Sequence, residues 1–96
     1  MPKAYVIVDM DVTDPDAYEK YKAAAGPAVV EYGGTYIVRG GAIEVLEGDR
    51  VPKRTVILEF PDVASGRAWY HSPEYTAARE LRAGAATGSL ILVEGV

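Results

Sequence analysis

The chain has 96 residues, a length that fits one domain spanning residues 1–96 and leaves no room for a second independent one. It contains no cysteine, which excludes disulfides, thiol nucleophiles and zinc sites built on sulfur. The net charge is -4 and the lysines and arginines are scattered, which argues against a nucleic acid or an anionic membrane as partner.

The first predicted element is a strand. Residues 4–12 (AYVIVDMDV) are rich in β-branched and aromatic side chains and end at a Thr-Asp-Pro turn. This run follows the first three residues without the apolar stretch of a signal peptide, and no segment approaches the roughly 18 apolar residues of a membrane span. We therefore expect a soluble, cytoplasmic protein.

A helix is predicted after this turn. Asp14 is a favourable N-cap, and Pro15 suits the first helical position. Apolar residues then recur with a period of about 3.6 until Gly33-Gly34 supplies a stop. Gly26-Pro27 lies in the middle of this pattern, so we expect a kink or an interruption there.

Two more strands are predicted in the middle of the chain, at residues 35–38 and 54–60 (RTVILEF). Gly40-Gly41 marks a bend between them. Residues 42–46 after this bend predict either a continuation of the second strand or a short extra strand.

The last third of the chain predicts a broken helical region and a final strand. The first helical segment begins near Asp62 and is interrupted at Ser72-Pro73. Ser72 as N-cap and Pro73 as first helical residue restart the helix, which we expect to continue to about residue 86. Residues 89–93 predict the fourth strand.

The predicted order β-α-β-β-α-β is the ferredoxin-like arrangement of the α+β class. It is a two-layer sandwich in which a four-stranded antiparallel sheet carries the helices on one face. The strands, however, are apolar on both faces: in the first strand Val6 and Val8 lie on one face, while Tyr5 and Ile7 lie on the other.

This second apolar face predicts a homodimer. The chain has enough helix to cover one face, and each large apolar side chain left in water would forfeit about 1.5–3 kcal/mol. A second copy packed sheet to sheet by a two-fold contact would cover the open face. The alternative, a loop or tail folded over it, needs a spare segment that the sequence does not contain.

Several segments resemble a known bacterial family. Residues 32–41 (YGGTYIVRGG), 59–61 (EFP), 68–75 (AWYHSPEY) and 93–96 (VEGV) are similar to the family catalogued as domain of unknown function 1330. The resemblance implies the fold of the dimeric α+β barrels, in which two ferredoxin-like sheets form a barrel and a pocket lies between sheet and helices. That wider group includes cofactor-free monooxygenases, small lyases and isomerases, haem-degrading enzymes and effector domains, so the fold selects no single activity.

His71 is the candidate for proton transfer, because it is the one side chain whose ordinary pKa lies near neutrality. The alternative is a surface histidine at a helix C-terminus, where a positive charge is favoured. The neighbouring Ser72 is a candidate ligand-binding residue, with an N-cap role as its alternative.

Tyr75 and Arg82 are the next candidates, since they fall on one stripe of the last helix. An arginine beside a tyrosine suits a carboxylate or an enolate, because the guanidinium offers paired donors. The alternative for this stripe is a solvated helix face.

Arg39 precedes Gly40-Gly41, where a ligand or another chain could approach the backbone closely; it could instead pair with Glu59 of a neighbouring strand. Arg54 is expected at the sheet edge and outside any site. Tyr18 and Trp69 are candidate pocket walls, with core packing as the alternative.

No metal and no cofactor is predicted. The acidic run from Asp9 to Asp16 lacks the spacing of an EF-hand loop, because Thr13 and Asp14 occupy its fifth and sixth positions. The glycine pairs match neither a phosphate-binding loop nor a dinucleotide fingerprint.

The sequence therefore predicts a dimer that binds a small organic molecule, with an anion favoured, in a pocket under residues 71–82. If it is an enzyme, we expect cofactor-free acid–base or oxygenase-type chemistry, with His71 as base and Arg82 stabilising the anion. The alternative is a non-catalytic binding or assembly module.

Overall fold

A computed structural model describes residues 2–96 and contains four strands and three helices. In chain order they are β1 (Ala4–Val12), α1 (Pro15–Glu31), β2 (Thr35–Arg39), β3 (Arg54–Phe60), α2 (Val63–His71), α3 (Pro73–Leu81) and β4 (Ala86–Glu94). The strands form one antiparallel sheet in the order β2-β3-β1-β4. This confirms the predicted α+β, ferredoxin-like arrangement. Among the described helices, none is long and apolar enough to cross a membrane.

The core lies between the sheet and the helices. Along β1 alternate residues are buried, from Ala4 to Met10, and β3 contributes its own alternate residues up to Phe60. Trp69 of α2 and Tyr75 of α3 are fully buried above this layer. The helices therefore cover one face of the sheet, as the two-residue period of the strands predicts.

The other face carries an apolar row that crosses all four strands. The registers place Val38, Ile57, Ile7 and Ile91 side by side from β2 to β4. Val38 and Ile91 are exposed by 36% and 54%. No helix of the described chain packs on this row, so its apolar surface faces outward, as the pattern of the strands predicts.

Helix α1 passes through Gly26-Pro27 without interruption, which corrects the expected break. Pro27 cannot donate the hydrogen bond that the Ala23 carbonyl would receive in a regular helix. Ala23 and Pro27 are both exposed, so water can hydrogen-bond to the Ala23 carbonyl. Gly26 also lacks the Cβ that would clash with the proline ring.

Three other boundaries differ from the prediction. Helix α3 ends at Leu81 and not near residue 86, because Gly84 takes a positive φ of 77° that turns the chain away. Strand β4 is accordingly longer than residues 89–93. Residues 42–46 form no strand; they belong to an exposed irregular connection, residues 40–53, between β2 and β3.

Replacing the proline inside α1 should stabilise the fold. Pro27→Ala restores an N–H donor and removes a ring clash. The two effects together cost about 3 kcal/mol in a helix interior. Greater freedom of the unfolded chain offsets part of this gain. We expect a net increase of about 1–2 kcal/mol in the free energy of unfolding, measured by urea denaturation.

Pro15→Ala is the matched control, because Pro15 is the first residue of α1 and blocks no intrahelical bond. It should give no increase. A Pro27→Ala protein that unfolds at the same or a lower urea concentration than wild type would contradict this account of the helix.

Candidate functional site

A pocket lies between α1 and the sheet, and we call it the α1 pocket. Four aromatic side chains line it together with aliphatic residues of the sheet and of α1: Tyr18, Tyr21, Tyr36 and Trp69. Three basic side chains complete the lining: Lys22, Arg39 and Arg54. The cavity volume is about 30 Å³, room for about one water.

A β-bulge in β2 brings two of these side chains to the pocket. Tyr36 pairs with Leu58, whereas Arg39 pairs with Val56, and the register shifts between them at Ile37. Leu58 and Val56 both face the helices, so Tyr36 and Arg39 also lie on the helix side of the sheet. The Arg39 guanidinium carbon lies 4.2 Å from the centre of the Tyr36 ring, a cation–π contact.

Arg54 also points to the helix side, contrary to the expectation that it lies outside any site. It opens β3 opposite Met10, whose side chain belongs to the core. The Arg54 guanidinium carbon lies 5.9 Å from the centre of the Tyr18 ring. Its Nε is buried and has no hydrogen-bond partner among residues 2–96.

Two arginines dominate the charge of the α1 pocket, because the third basic residue, Lys22, pairs with Glu19 at 2.8 Å. Lys22, Arg39 and Arg54 line it, and none of the described lining residues is an aspartate, a glutamate or a histidine. Glu59, the predicted partner of Arg39, instead pairs with Lys3, with 2.8 Å between Nζ and Oε1. Burial raises the pKa of Tyr36, and Arg39 offsets this in part, so the Tyr36 phenol stays protonated near neutrality.

Trp69 closes the inner end of the pocket. Its ring centre is 4.1 Å from that of Tyr75 and 5.5 Å from that of Phe60, and the residue is 1% exposed. The indole Nε1 is buried and lacks a partner within the described chain. A buried N–H without an acceptor costs free energy, so a hydrogen-bond acceptor brought close to it would be stabilised.

Behind the pocket, two tyrosines of different helices form a buried hydroxyl pair. The hydroxyl oxygens of Tyr21 and Tyr75 are 2.8 Å apart. Burial, and then the neighbouring Tyr75, raise the pKa of Tyr21. The guanidinium carbon of Arg82 lies 5.3 Å from the centre of the Tyr21 ring. Burial lowers the pKa of Arg82, but the neighbouring Tyr75 and Tyr21 more than offset this, so its pKa is raised overall.

The predicted site residues fall into separate groups. Tyr18, Arg39 and Trp69 lie together in the α1 pocket. His71 is exposed at the end of α2 and lines a different depression beside β4. Arg82 lines a third depression at the end of α3. The structure therefore does not bring the predicted base and the predicted anion-stabilising arginine together.

Ser72 and Tyr75 are structural neighbours of the pocket. The Ser72 Oγ accepts a hydrogen bond from the Tyr75 N–H at 3.1 Å and donates one to the Trp69 carbonyl at 2.7 Å. Ser72 thus joins α2 to α3. Tyr75 is fully buried and reaches the pocket through its hydroxyl contact with Tyr21.

Sequence reasoning missed Arg54 and Tyr21 as pocket residues. Tyr21 follows Tyr18 by one helical turn, so their shared face on α1 was a usable signal. Arg54 had no such signal, because its side of the sheet depends on its register with Met10 in β1.

A family model matches residues 3–96; the family is described as domain of unknown function 1330. No curated protein matches the chain. A protein of unknown function from Rhodopseudomonas palustris has a similar structure, with a TM-score of 0.78 at 22% identity, over 99% of this chain and 83% of that one.

Two other solved structures share the fold. One is SnoaB from Streptomyces nogalater, described as a cofactor-independent oxygenase, with a TM-score of 0.63 at 13% identity over 96% of this chain and 91% of that one. The other is a dimeric protein of unknown function with a ferredoxin-like fold from Bacteroides fragilis, with a TM-score of 0.62 at 17% identity over 96% and 95% of the chains.

Removing the Ser72 hydroxyl should destabilise the fold, because the substitution Ser72→Ala deletes both the cap of α3 and the bond to the Trp69 carbonyl. We expect a loss of about 1–2 kcal/mol in the free energy of unfolding, measured by chemical denaturation.

The matched control is Glu80→Ala at an exposed position of the same helix α3, which should change stability by less than about 0.5 kcal/mol. Equal stability of Ser72→Ala and wild type would show that Ser72 does not hold the helix joint, and would return it to the list of ligand-binding candidates.

Proposed function

This chain belongs to the family described as domain of unknown function 1330, and from that premise we propose that it binds a small, planar organic anion in the α1 pocket. The observation that carries the proposal is the pocket lining, in which three basic side chains accompany four aromatic rings without a carboxylate.

The charge of the pocket runs against that of the whole chain. The chain carries a net charge of -4, yet Arg39 and Arg54 meet at one concave surface with no acidic side chain of the lining to balance them. The third basic residue of the lining, Lys22, pairs with Glu19 at 2.8 Å between Nζ and Oε1. Guanidinium groups bind carboxylates and related anions through paired hydrogen bonds, and aromatic walls favour a flat ligand body. A planar organic acid satisfies both features.

The unpaired buried donors support the same ligand class. The Nε of Arg54 and the Nε1 of Trp69 are both buried without partners among residues 2–96. An anion in the α1 pocket would bring acceptor oxygens to this region, which relieves the cost of leaving such groups unsatisfied.

Ligand entry requires side chains to move. The cavity of about 30 Å³ is far smaller than an aromatic ring. Arg39 is exposed and Arg54 is half-buried, and both have long, flexible stems. We expect these two side chains to swing aside and then close on the acidic group of the ligand.

The pocket supports binding better than catalysis. Cofactor-free acid–base or oxygenase-type chemistry needs a group that removes a proton from the substrate. No carboxylate or imidazole is found among the described lining residues, and His71 lies in another depression. Burial raises the pKa of Tyr21, so its phenol stays protonated at neutral pH and cannot accept a proton from a substrate. The function we propose is therefore ligand binding without turnover.

We also propose that the protein is a homodimer joined through the open sheet face. The row from Val38 to Ile91 is apolar across all four strands, and Val93 on the same face is 41% exposed. The Bacteroides fragilis protein of similar fold is described as dimeric. A second copy would bury this row on both partners at once.

Ligand binding is tested with benzoate and 2-naphthoate as probes in isothermal titration calorimetry. Arg54→Gln removes one charged donor of the pocket, so we expect about a tenfold loss of affinity for the tighter probe. Wild-type affinity should also fall as salt concentration rises, because the contact is between charges.

Arg67→Gln is the matched control, since Arg67 is exposed on α2 outside the α1 pocket and loses the same charge. Its affinity should stay within twofold of wild type. If neither probe binds the wild-type protein, or if Arg67→Gln loses as much affinity as Arg54→Gln, the proposed pocket is wrong.

The dimer is tested by size-exclusion chromatography with light scattering at micromolar concentration. Wild type should have twice the mass of the chain. Ile91→Asp should have the mass of one chain, because a carboxylate in the centre of the buried row would lose its hydration.

Val30→Asp is the control, since Val30 is 71% exposed on α1, away from the sheet. That variant should remain dimeric. A wild-type protein that is monomeric at this concentration would exclude the proposed interface.

A further inference from the structure

In the hydroxyl pair of Tyr21 and Tyr75, either tyrosine could donate the shared hydrogen bond. Tyr75 is fully buried at 0% exposure, whereas Tyr21 lies in the pocket lining and keeps 8%. The two oxygens are 2.8 Å apart and either could be the donor. Each hydroxyl has one proton and the pair shares one hydrogen bond, so one proton is left outside that bond.

The position of Arg82 indicates which of the two tyrosines keeps its proton outside the shared hydrogen bond. Its guanidinium lies beside the pair, against the Tyr21 ring. A guanidinium has donors and no acceptor, so it cannot receive a proton from either hydroxyl. If Tyr21 donated to Tyr75, the Tyr75 proton would point into a site closed to water, with no acceptor for it among residues 2–96. Such an unsatisfied buried donor is costly.

The opposite orientation avoids this cost. Tyr75 then donates to the Tyr21 oxygen, and no proton of Tyr75 is left without an acceptor. Tyr21 keeps its proton, and Tyr21 is itself a residue of the pocket lining. The described lining contains no carboxylate and no imidazole that would take this proton instead.

We infer that Tyr21 donates a hydrogen bond to an acceptor oxygen of the ligand in the α1 pocket. The inference rests on the proposed function and narrows the ligand class. The ligand carries a carbonyl or similar acceptor oxygen in addition to the acidic group that meets the arginines. Arg82 and Tyr75 act on it through Tyr21 and are positioning residues.

The environment of Tyr21 suits a donor that stays protonated. Burial, followed by the Tyr75 hydroxyl, raises its pKa, so the phenol keeps its proton throughout the neutral range. Fixing the Tyr21 oxygen as an acceptor from Tyr75 also polarises its own O–H bond, which strengthens the bond that it donates.

The test uses pairs of ligands that differ in one oxygen. Each of the three acetylbenzoates is compared with the ethylbenzoate of the same substitution pattern, which is nearly isosteric but lacks the carbonyl. The ratio of the two dissociation constants is measured by titration calorimetry within each protein variant. Both ligands meet the same folded fraction, so a loss of stability in a variant cancels from the ratio.

Wild type should bind the best acetylbenzoate about fivefold more tightly than its ethyl counterpart, the value of one neutral hydrogen bond. Tyr21→Phe should bind both equally. Tyr70→Phe should keep the wild-type ratio, because Tyr70 lies outside the α1 pocket and its hydroxyl accepts from Arg79 at 2.6 Å.

Tyr75→Phe tests the orientation of the pair. If Tyr75 donates to Tyr21, this variant leaves the Tyr21 proton where it was and the ratio does not rise. A higher ratio would mean that Tyr21 had been donating to Tyr75, and would overturn the inference. So would a wild-type preference that survives in Tyr21→Phe, or a wild-type protein that binds both compounds equally. If wild type binds neither benzoate series, the proposed function fails, and the role of Tyr21 fails with it.

Discussion

The pleat of β1 is the constraint on which the rest of the structure depends. β1 lies between β3 and β4, so the side that each of its residues takes also fixes the side of the residues paired with it. Val6 and Val8 thereby define the layer beneath the helices, and Ile7 defines the apolar row on the other face. A slip of one residue would exchange the two layers and place Asp9 in the core, so the register is strongly determined.

The sheet also separates the proposed ligand site from the proposed dimer contact. The proposed ligand site lies on the helix side, and the proposed dimer contact lies on the opposite side of the same four strands. The two arginines of the pocket reach the helix side of the sheet for two different structural reasons. Arg39 gets there because the bulge at Ile37 shifts its register, and Arg54 because it pairs with Met10. An acidic chain can thus present a local positive surface without disturbing the apolar row.

Local signals in the sequence predicted most of the fold and part of the site. Strand alternation and the caps at Asp14 and Ser72 are short-range features, and the structure has the predicted elements in the predicted order. Residue type and position also predict Tyr18, Arg39 and Trp69 as pocket residues. The bulge at Ile37 and the direction of Arg54 depend on strands paired across long stretches of chain, so no local pattern contains them. His71 and Arg82 are candidates by their chemistry alone, and the distance between them is a property of the tertiary structure.

The connection of residues 40–53 joins the two arginines of the pocket, since Arg39 ends β2 and Arg54 opens β3. Its base is held by a bond of 2.9 Å from the Gly40 N–H to the Thr55 carbonyl, and Arg50 near its other end pairs with Asp9 of β1. Most of the rest is exposed and irregular. Exposed connections of this kind accept insertions and substitutions at small cost to stability. Related chains could therefore alter the ligand specificity proposed for the α1 pocket by changing this one connection, with the strands, helices and open sheet face inherited unchanged.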